Sequence, residues 1–327
     1  MKLLRKLPKH SVLFSLLNMV TDFQEGEVTS YRRPSSDGTP GSLIELTDNL
    51  PAIIVPDIHA RDFFIKNILK YILPSDFTGQ EGLCVEEALE KERVNVIFVG
   101  DAIHTETSRE HWEIIEEEFE NGDYSGPEMT KEMVAAFSTL NLLMNLKLKF
   151  PKHFFFLKGN HENIMNTTSG CDYGFYKFAD EGNMVKTFIS NYYGEDILYL
   201  LDLYEKSLPF VAAGKNFVVS HAEPAGCYKK SDLIDAHLRS EVGRGLIWTR
   251  NDEVKEATAK FILNQLLDES YAENSFYFAG HRTVKGNYAL RQDGRFVQIH
   301  NPHKQNITLV YNNKLFNPET DIVGVSK

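Results

Sequence analysis

The chain has 327 residues and a formal net charge of −11, with 42% hydrophobic and 25% charged residues. That composition suits a globular α/β protein; the absence of a basic patch argues against nucleic-acid binding, and no run reaches the ~18 apolar residues that span a membrane. An acidic surface repels phosphorylated substrates, so a chain of this charge that handles phosphate needs local positive charge, such as bound divalent cations.

The N-terminal "MKLLRKLPKHSVLFSLLNMV" carries a basic start and an apolar run. Ser15 and Asn18 interrupt that run, and no small-residue cleavage site follows, so an amphipathic helix packed on the domain is expected rather than a secretory signal. Residues 25–42 cluster Gly, Ser, Pro and Asp and read as a linker. The expected division is therefore an N-terminal helix and linker over 1–42 and a main domain over 43–327, with an inserted acidic helical segment at about 105–128. Short apolar runs at 51–56, 94–100, 154–157, 215–220, 275–280, 295–299 and 307–312 read as strands. Helical periodicity marks 63–73, 110–121, 129–150, 184–206, 231–242 and 254–269, with Pro151 stopping the helix 129–150. Strands alternating with helices predict an α/β fold. The three cysteines, Cys84, Cys171 and Cys227, are far apart and lack metal-type spacing, so they read as free thiols in a reducing compartment, the cytoplasm.

Five strands end at once in polar residues: "PDIHAR", "GDAIHT", "GNHEN", "SHAEP" and "GHRTVKG". In open α/β sheets, sites form beyond the carboxyl ends of the strands, so such ends can converge. Asp57, His59, Asp101, Asn160, His221 and His281 supply carboxylate, amide and imidazole donors suited to hard or borderline divalent metals. The set is too large for one tetrahedral ion and suits two ions sharing a carboxylate, an arrangement used in phosphoryl displacement. Asp-x-His by itself is weak: it recurs at Asp235-Ala-His237 inside a helical pattern, where it reads as a solvated coincidence.

Taken in order, Asp-x-His, Gly-Asp, Gly-Asn-His-Glu, His and Gly-His resemble the calcineurin-like metallophosphoesterase superfamily, and most nearly its serine/threonine phosphoprotein phosphatases. "KFPKHFFFLKGNHEN", "LPFVAAGKNFVVSHAEPAG" and "GLIWTRND" carry the likeness, which runs over roughly residues 50–300. The resemblance implies a sandwich of two mixed sheets flanked by helices, with the site at the strand ends. It implies that Asp57, His59 and Asp101 hold a first metal, that Asp101 bridges, and that Asn160, His221 and His281 complete a second. Mn²⁺ is the expected metal, with Fe or Zn²⁺ admitted by the same donors. In-line attack by a metal-bridging hydroxide is implied, with His161 protonating the leaving oxygen or stabilising its charge. The substrate would be a phosphorylated protein or a small phosphate ester, with Arg250 a candidate phosphate clamp.

The chain also departs from that pattern. Gly280-His281-Arg282-Thr283 lacks the second histidine of Gly-His-x-His. Where the phosphatases carry Gly-Asp-x-x-Asp-Arg-Gly, this chain has Gly100-Asp101-Ala102-Ile103-His104-Thr105-Glu106. The aspartate that would orient His161 is His104 and the phosphate-binding arginine is Thr105; either Glu106 or Arg61 supplies those roles, with His104 and Arg61 as substrate-binding candidates, or the substrate differs. His300 and His303 stand near the end of the last strands as weaker ligand candidates. Glu162 is expected to steady its turn or a neighbouring imidazole. Hydrolysis of diadenosine polyphosphates is the alternative activity, and a non-catalytic phosphate-binding scaffold a third reading.

Overall fold

The computed structural model describes residues 3–106, 108–254 and 257–326. Of the segments read from sequence, residues 1, 2, 107, 255, 256 and 327 lie outside the described residues. Among the described residues, eleven strands form two sheets. They are β1 (Leu43–Glu45), β2 (Ala52–Val55), β3 (Asn95–Phe98), β4 (Phe154–Phe156), β5 (Val211–Ala213), β6 (Phe217–Ser220), β7 (Phe276–Ala279), β8 (Ala289–Arg291), β9 (Phe296–Gln298), β10 (Asn306–Val310) and β11 (Ile322–Gly324). One sheet has the order β1-β5-β6-β7-β9-β8, the other β11-β10-β2-β3-β4.

The two sheets pack face to face because their central strands are apolar on both sides. A strand turns successive side chains to opposite faces. Thus Ile54, Ile97 and Phe155 join Val219, Phe278 and Val297 in the layer between the sheets. Ile53, Val96 and Phe154 instead meet the helices outside one sheet, and Val218 and Tyr277 those outside the other. The helix His10–Glu25 buries Leu13, Leu16, Leu17 and Val20 and packs against the helices Pro127–Lys149 and Glu195–Lys206.

The directions of the strands position the site. β2, β3 and β4 are mutually parallel, and so are β6, β7 and β9. Each trio therefore delivers its carboxyl ends to one edge of its sheet.

The seven apolar runs all contain strands. The four strands absent from the sequence reading, β1, β5, β8 and β11, are three residues each. Runs that short carry no measurable period. The helix expected over 184–206 is two, Glu181–Tyr192 and Glu195–Lys206. Gly194, at φ 103°, breaks it, its N–H closing on Ile189 and Ser190 carbonyls. The region 231–242 likewise splits into Lys230–Ile234, a 3₁₀ turn at Ala236–Leu238 and Ser240–Ile247.

Candidate active site and metal centre

Six strand ends supply the site. Asp57 and His59 follow β2, Asp101 follows β3, and Asn160 and His161 follow β4; His221 follows β6, His281 follows β7, and His300 follows β9. Turning so sharply out of a strand forces unusual backbone: His59, Asp101, His104 and His281 have φ of 48°, 56°, 64° and 61°. Each such non-glycine residue costs about 1–3 kcal/mol, a strain that tends to gather where side chains must be aimed.

One half of the cluster is formed by Asn160, His221 and His281. Asn160 Oδ1 lies 2.9 Å from His221 Nε2 and 2.9 Å from His281 Nδ1, and the two nitrogens are 3.2 Å apart. His221 Nδ1 is 3.0 Å from the Val99 carbonyl, which can only accept. Neutral His221 therefore presents a bare Nε2 to Asn160, so lone pairs face each other there.

The other half is built on Asp57 and His59. His59 Nδ1 donates to the His104 carbonyl at 3.0 Å, leaving Nε2 bare. That Nε2 is 4.0 Å from Asp57 Oδ2, 3.6 Å from Asp101 Oδ2 and 3.2 Å from Glu106 Oε2. Asp101 Oδ2 sits between the halves, 3.4 Å from His221 Nε2. Three overlapping donor groups result: Asp57–His59–His300, His59–Asp101–His161 and Asp57–Asp101–His221, each with its donor atoms within 4.8 Å of one another.

Electrostatics shape the cluster in the same direction. Burial pushes Asp57 up to about 6 and Asp101 well above the usual carboxylate range. Burial pulls His59 down to about 4 and His281 to about 3. Buried carboxylates lacking a counter-charge and imidazoles held neutral are the state that a divalent cation stabilises. Asp57 Oδ1 and His300 Nδ1 are buried without a hydrogen-bond partner among the described residues. Orphaned acceptors among bare imidazole nitrogens fit a divalent ion. The residues could therefore hold metal.

No protein-family model matches the sequence, and no curated protein does. Among solved structures, the chain is similar to a protein serine/threonine phosphatase from Saccharomyces cerevisiae with similarity to human phosphatase PP5. The TM-score is 0.60 at 14% identity, covering 97% of this chain and 89% of that one. It is less similar to a cold-active protein tyrosine phosphatase, at TM-score 0.48 and 14% identity over 84% of this chain and 77% of that one. A cold-active protein tyrosine phosphatase of a psychrophilic Shewanella species gives TM-score 0.46 and 13% identity, over 84% and 78%.

The chain has the metallophosphoesterase fold. Within it, the support for the site comes from residues whose side chains face inward. Glu162 accepts from three backbone N–H groups, those of Ala102 at 2.7 Å, Asp101 at 2.9 Å and Gly159 at 2.7 Å. It thereby ties the Asp101 loop to the β4 end. A Cβ on Gly280 would overlap Asp57 Oδ1, so the backbone after β7 must come in bare.

His104 does not reach the open side. It is buried, stacks on Phe175 with ring centroids 5.0 Å apart, and places its Nδ1 2.9 Å from His161 Nδ1. Its Nε2 has no partner among the described residues. A buried N–H left without an acceptor is costlier than a bare ring nitrogen. The favoured tautomer therefore has His104 Nδ1–H donating to His161, which leaves His161 with Nε2–H, 3.7 Å from Asp101 Oδ2.

Arg61 was expected near the phosphate. Four of its five N–H donors instead go to the carbonyls of Ile58, Pro302, Lys304 and Asp57, so it staples the β2 loop to the segment after β9. Its burial leaves it little freedom to meet substrate. Arg250 is exposed, and its side chain takes no hydrogen bond or ion pair among the described residues. It lies two residues past Trp248, whose ring is 6.4 Å from His281.

The acidic helix Arg109–Glu120 is more than a solvated face. It buries Trp112 and Ile115, and Trp112 Nε1 donates to the Thr105 carbonyl at 2.7 Å. Glu132 accepts from Thr105 N–H at 2.9 Å. Together they hold the 104–106 turn against the site. Asp235 and His237 also differ from the sequence reading: Asp235 accepts from Ser36 N–H, and His237 Nδ1 meets Ser42 Oγ, each at 2.8 Å. They anchor the linker rather than facing solvent.

Sequence reasoning missed Lys177, which pairs with Glu106, and undervalued Glu106 and His300. For His300 a signal existed, since it too is a polar residue just past a buried strand. Lys177 carried none, because it comes from a loop remote in sequence.

Proposed function

We propose that this protein is a metal-dependent phosphatase, hydrolysing phosphomonoesters in the manner of a serine/threonine protein phosphatase and working in the cytoplasm. The observation that carries this reading is the convergence of six strand ends from both sheets on one buried cluster of carboxylate, amide and imidazole donors. Asp57, His59 and Asp101 hold one ion and Asn160, His221 and His281 the other, with Asp101 shared, because its Oδ2 lies between the two halves. Such ions, Mn²⁺ by preference and otherwise Fe or Zn²⁺, supply an activated water and clamp the phosphoryl oxygens. His161, held by His104, would present Nε2–H to the leaving oxygen as a hydrogen-bond donor that stabilises the charge developing there. Arg250 offers its free guanidinium to the phosphate from the rim, matching two oxygens at once. The three unpaired cysteines agree with a reducing compartment.

A second reading, hydrolysis of diadenosine polyphosphates or another small phosphate ester, draws on Thr105 standing where the phosphatases carry arginine. It also draws on a cavity of about 250 Å³ beside His59, lined by Phe63, Thr105, Pro302 and His303. A turnover screen with added Mn²⁺ decides between them. Phosphate release from phosphoseryl and phosphothreonyl peptides is expected. Cleavage of diadenosine tetraphosphate with no release from peptides would transfer the assignment to the second reading, and no turnover of any phosphate ester by metal-loaded protein would leave the scaffold.

A further inference from the structure

His300 stands two residues beyond β9, which runs parallel to β7, so it emerges at the same sheet edge as His281. Its side chain is 0% exposed. Nε2 lies 2.6 Å from Glu106 Oε2, while Nδ1 has no hydrogen-bond partner among the described residues and lies 3.6 Å from Asp57 Oδ2. The ring is 5.4 Å from that of His59, and Asp57, His59 and His300 form one of the three donor groups.

The two ring nitrogens are therefore doing different things. Glu106 accepts from Nε2–H, which makes Nδ1 a bare lone pair in the neutral ring. That lone pair faces Asp57 Oδ2, which also accepts from the His281 N–H, and two acceptors set 3.6 Å apart in a buried space repel each other, an arrangement that a cation between them stabilises. An imidazolium bridging Glu106 and Asp57 is the competing arrangement. It would carry an Nδ1–H with no acceptor closer than 3.6 Å, too long for a hydrogen bond. Metal-binding histidines regularly donate their other N–H to a carboxylate, which fixes the tautomer. Glu106 stands in that relation to His300, and its second oxygen is met by Lys177.

We infer that His300 Nδ1 is a ligand of the first metal ion, in the place left by the missing second histidine of Gly-His281-Arg-Thr, with Glu106 as its positioning carboxylate. This inference rests on the two-metal reading above. It makes the first site two imidazoles and two carboxylates, a donor set that favours Mn²⁺, Fe²⁺, Co²⁺ or Zn²⁺ over Mg²⁺.

The test uses the full chain stripped with a chelator and reloaded with Co²⁺ or Mn²⁺. Ion stoichiometry is read by elemental analysis, affinity by calorimetric titration and ligation by the Co²⁺ visible spectrum. Wild type is expected to take two ions. His300→Ala and His300→Gln should keep one tight ion, lose or weaken the other at least about 10-fold, and alter the Co²⁺ spectrum. Glu106→Gln should retain both ions and weaken one by roughly 10–100-fold. Circular dichroism and thermal unfolding of the stripped proteins check the fold, and His300→Gln, which keeps a polar side chain in the space, decides if His300→Ala does not fold. Two ions bound by His300→Gln with wild-type affinity and spectrum would overturn this inference alone. A wild-type chain that takes up no ion would overturn the parent reading and this one with it.

Discussion

Replacing His104 with alanine probes the contact that departs most from the phosphatase pattern. His104 Nδ1 and His161 Nδ1 are 2.9 Å apart and both rings are buried. Removing His104 deprives His161 of the donor that selects its Nε2–H tautomer. A net hydrogen bond is worth about 0.5–1.5 kcal/mol, and a buried group left unsatisfied costs about 1–3 kcal/mol. If that loss appears in the transition state, kcat falls by ~5–150-fold, since each 1.4 kcal/mol is a decade. The loss should depend on the leaving group. An alkoxide from a phosphoseryl peptide needs the proton, whereas p-nitrophenolate barely does. The assay compares kcat on the two substrates at fixed Mn²⁺, alongside metal content. His104→Asn, whose amide nitrogen falls near the position of imidazole Nδ1, should recover part of the peptide activity. An equal fall on both substrates, with two ions still bound, would refute the idea that His104 acts through a proton on His161.

Three further outcomes are expected. Asp101→Asn should release both ions on elemental analysis, because the one Oδ2 lies 3.6 Å from His59 Nε2 and 3.4 Å from His221 Nε2; retention of two ions contradicts the sharing. Gly280→Ala should weaken metal binding by displacing Asp57, while a circular dichroism spectrum like the wild type's confirms an intact fold; unchanged affinity would mean that the β7 loop has slack. The hydrogen bond to Glu132 raises the pKa of His111 above its ordinary 6.5. A raised histidine contributes stability that is full below the unfolded pKa and lost as pH climbs through the folded one. The urea unfolding free energy of wild type should therefore fall relative to that of His111→Ala between pH 6 and pH 9, by under about 1 kcal/mol because the ring keeps some contact with solvent; parallel changes would remove the pair from the pH response.

Much of the architecture could be read in the residues themselves. The buried strands announce themselves as short apolar runs, and the polar residues that follow them are visible as breaks in pattern. The short edge strands and the break at Gly194 were not legible, since three residues have no period and one glycine does not oblige a break. The same limit applied to Asp-x-His. Asp57–His59 and Asp235–His237 share a pattern, and only the strand before the first separates the pair proposed to hold metal from a linker anchor.

The sequence by itself determined which atoms are available and where the pattern breaks: the apolar runs of β2, β3, β4, β6, β7 and β9 are each followed within a few residues by a carboxylate, amide or imidazole. It also exposed the two substitutions, His104 for aspartate and Thr105 for arginine. The partners of these residues were settled only by tertiary structure. Two parallel trios of strands in facing sheets bring Asp57, Asp101, Asn160, His221, His281 and His300 together from positions spread over some 240 residues, and a histidine's role depends on what its second nitrogen meets. His221 meets a carbonyl, His300 a glutamate and His104 another imidazole. Local sequence cannot distinguish those three cases, because hydrogen bonding acts through distance in space while a motif records only distance along the chain.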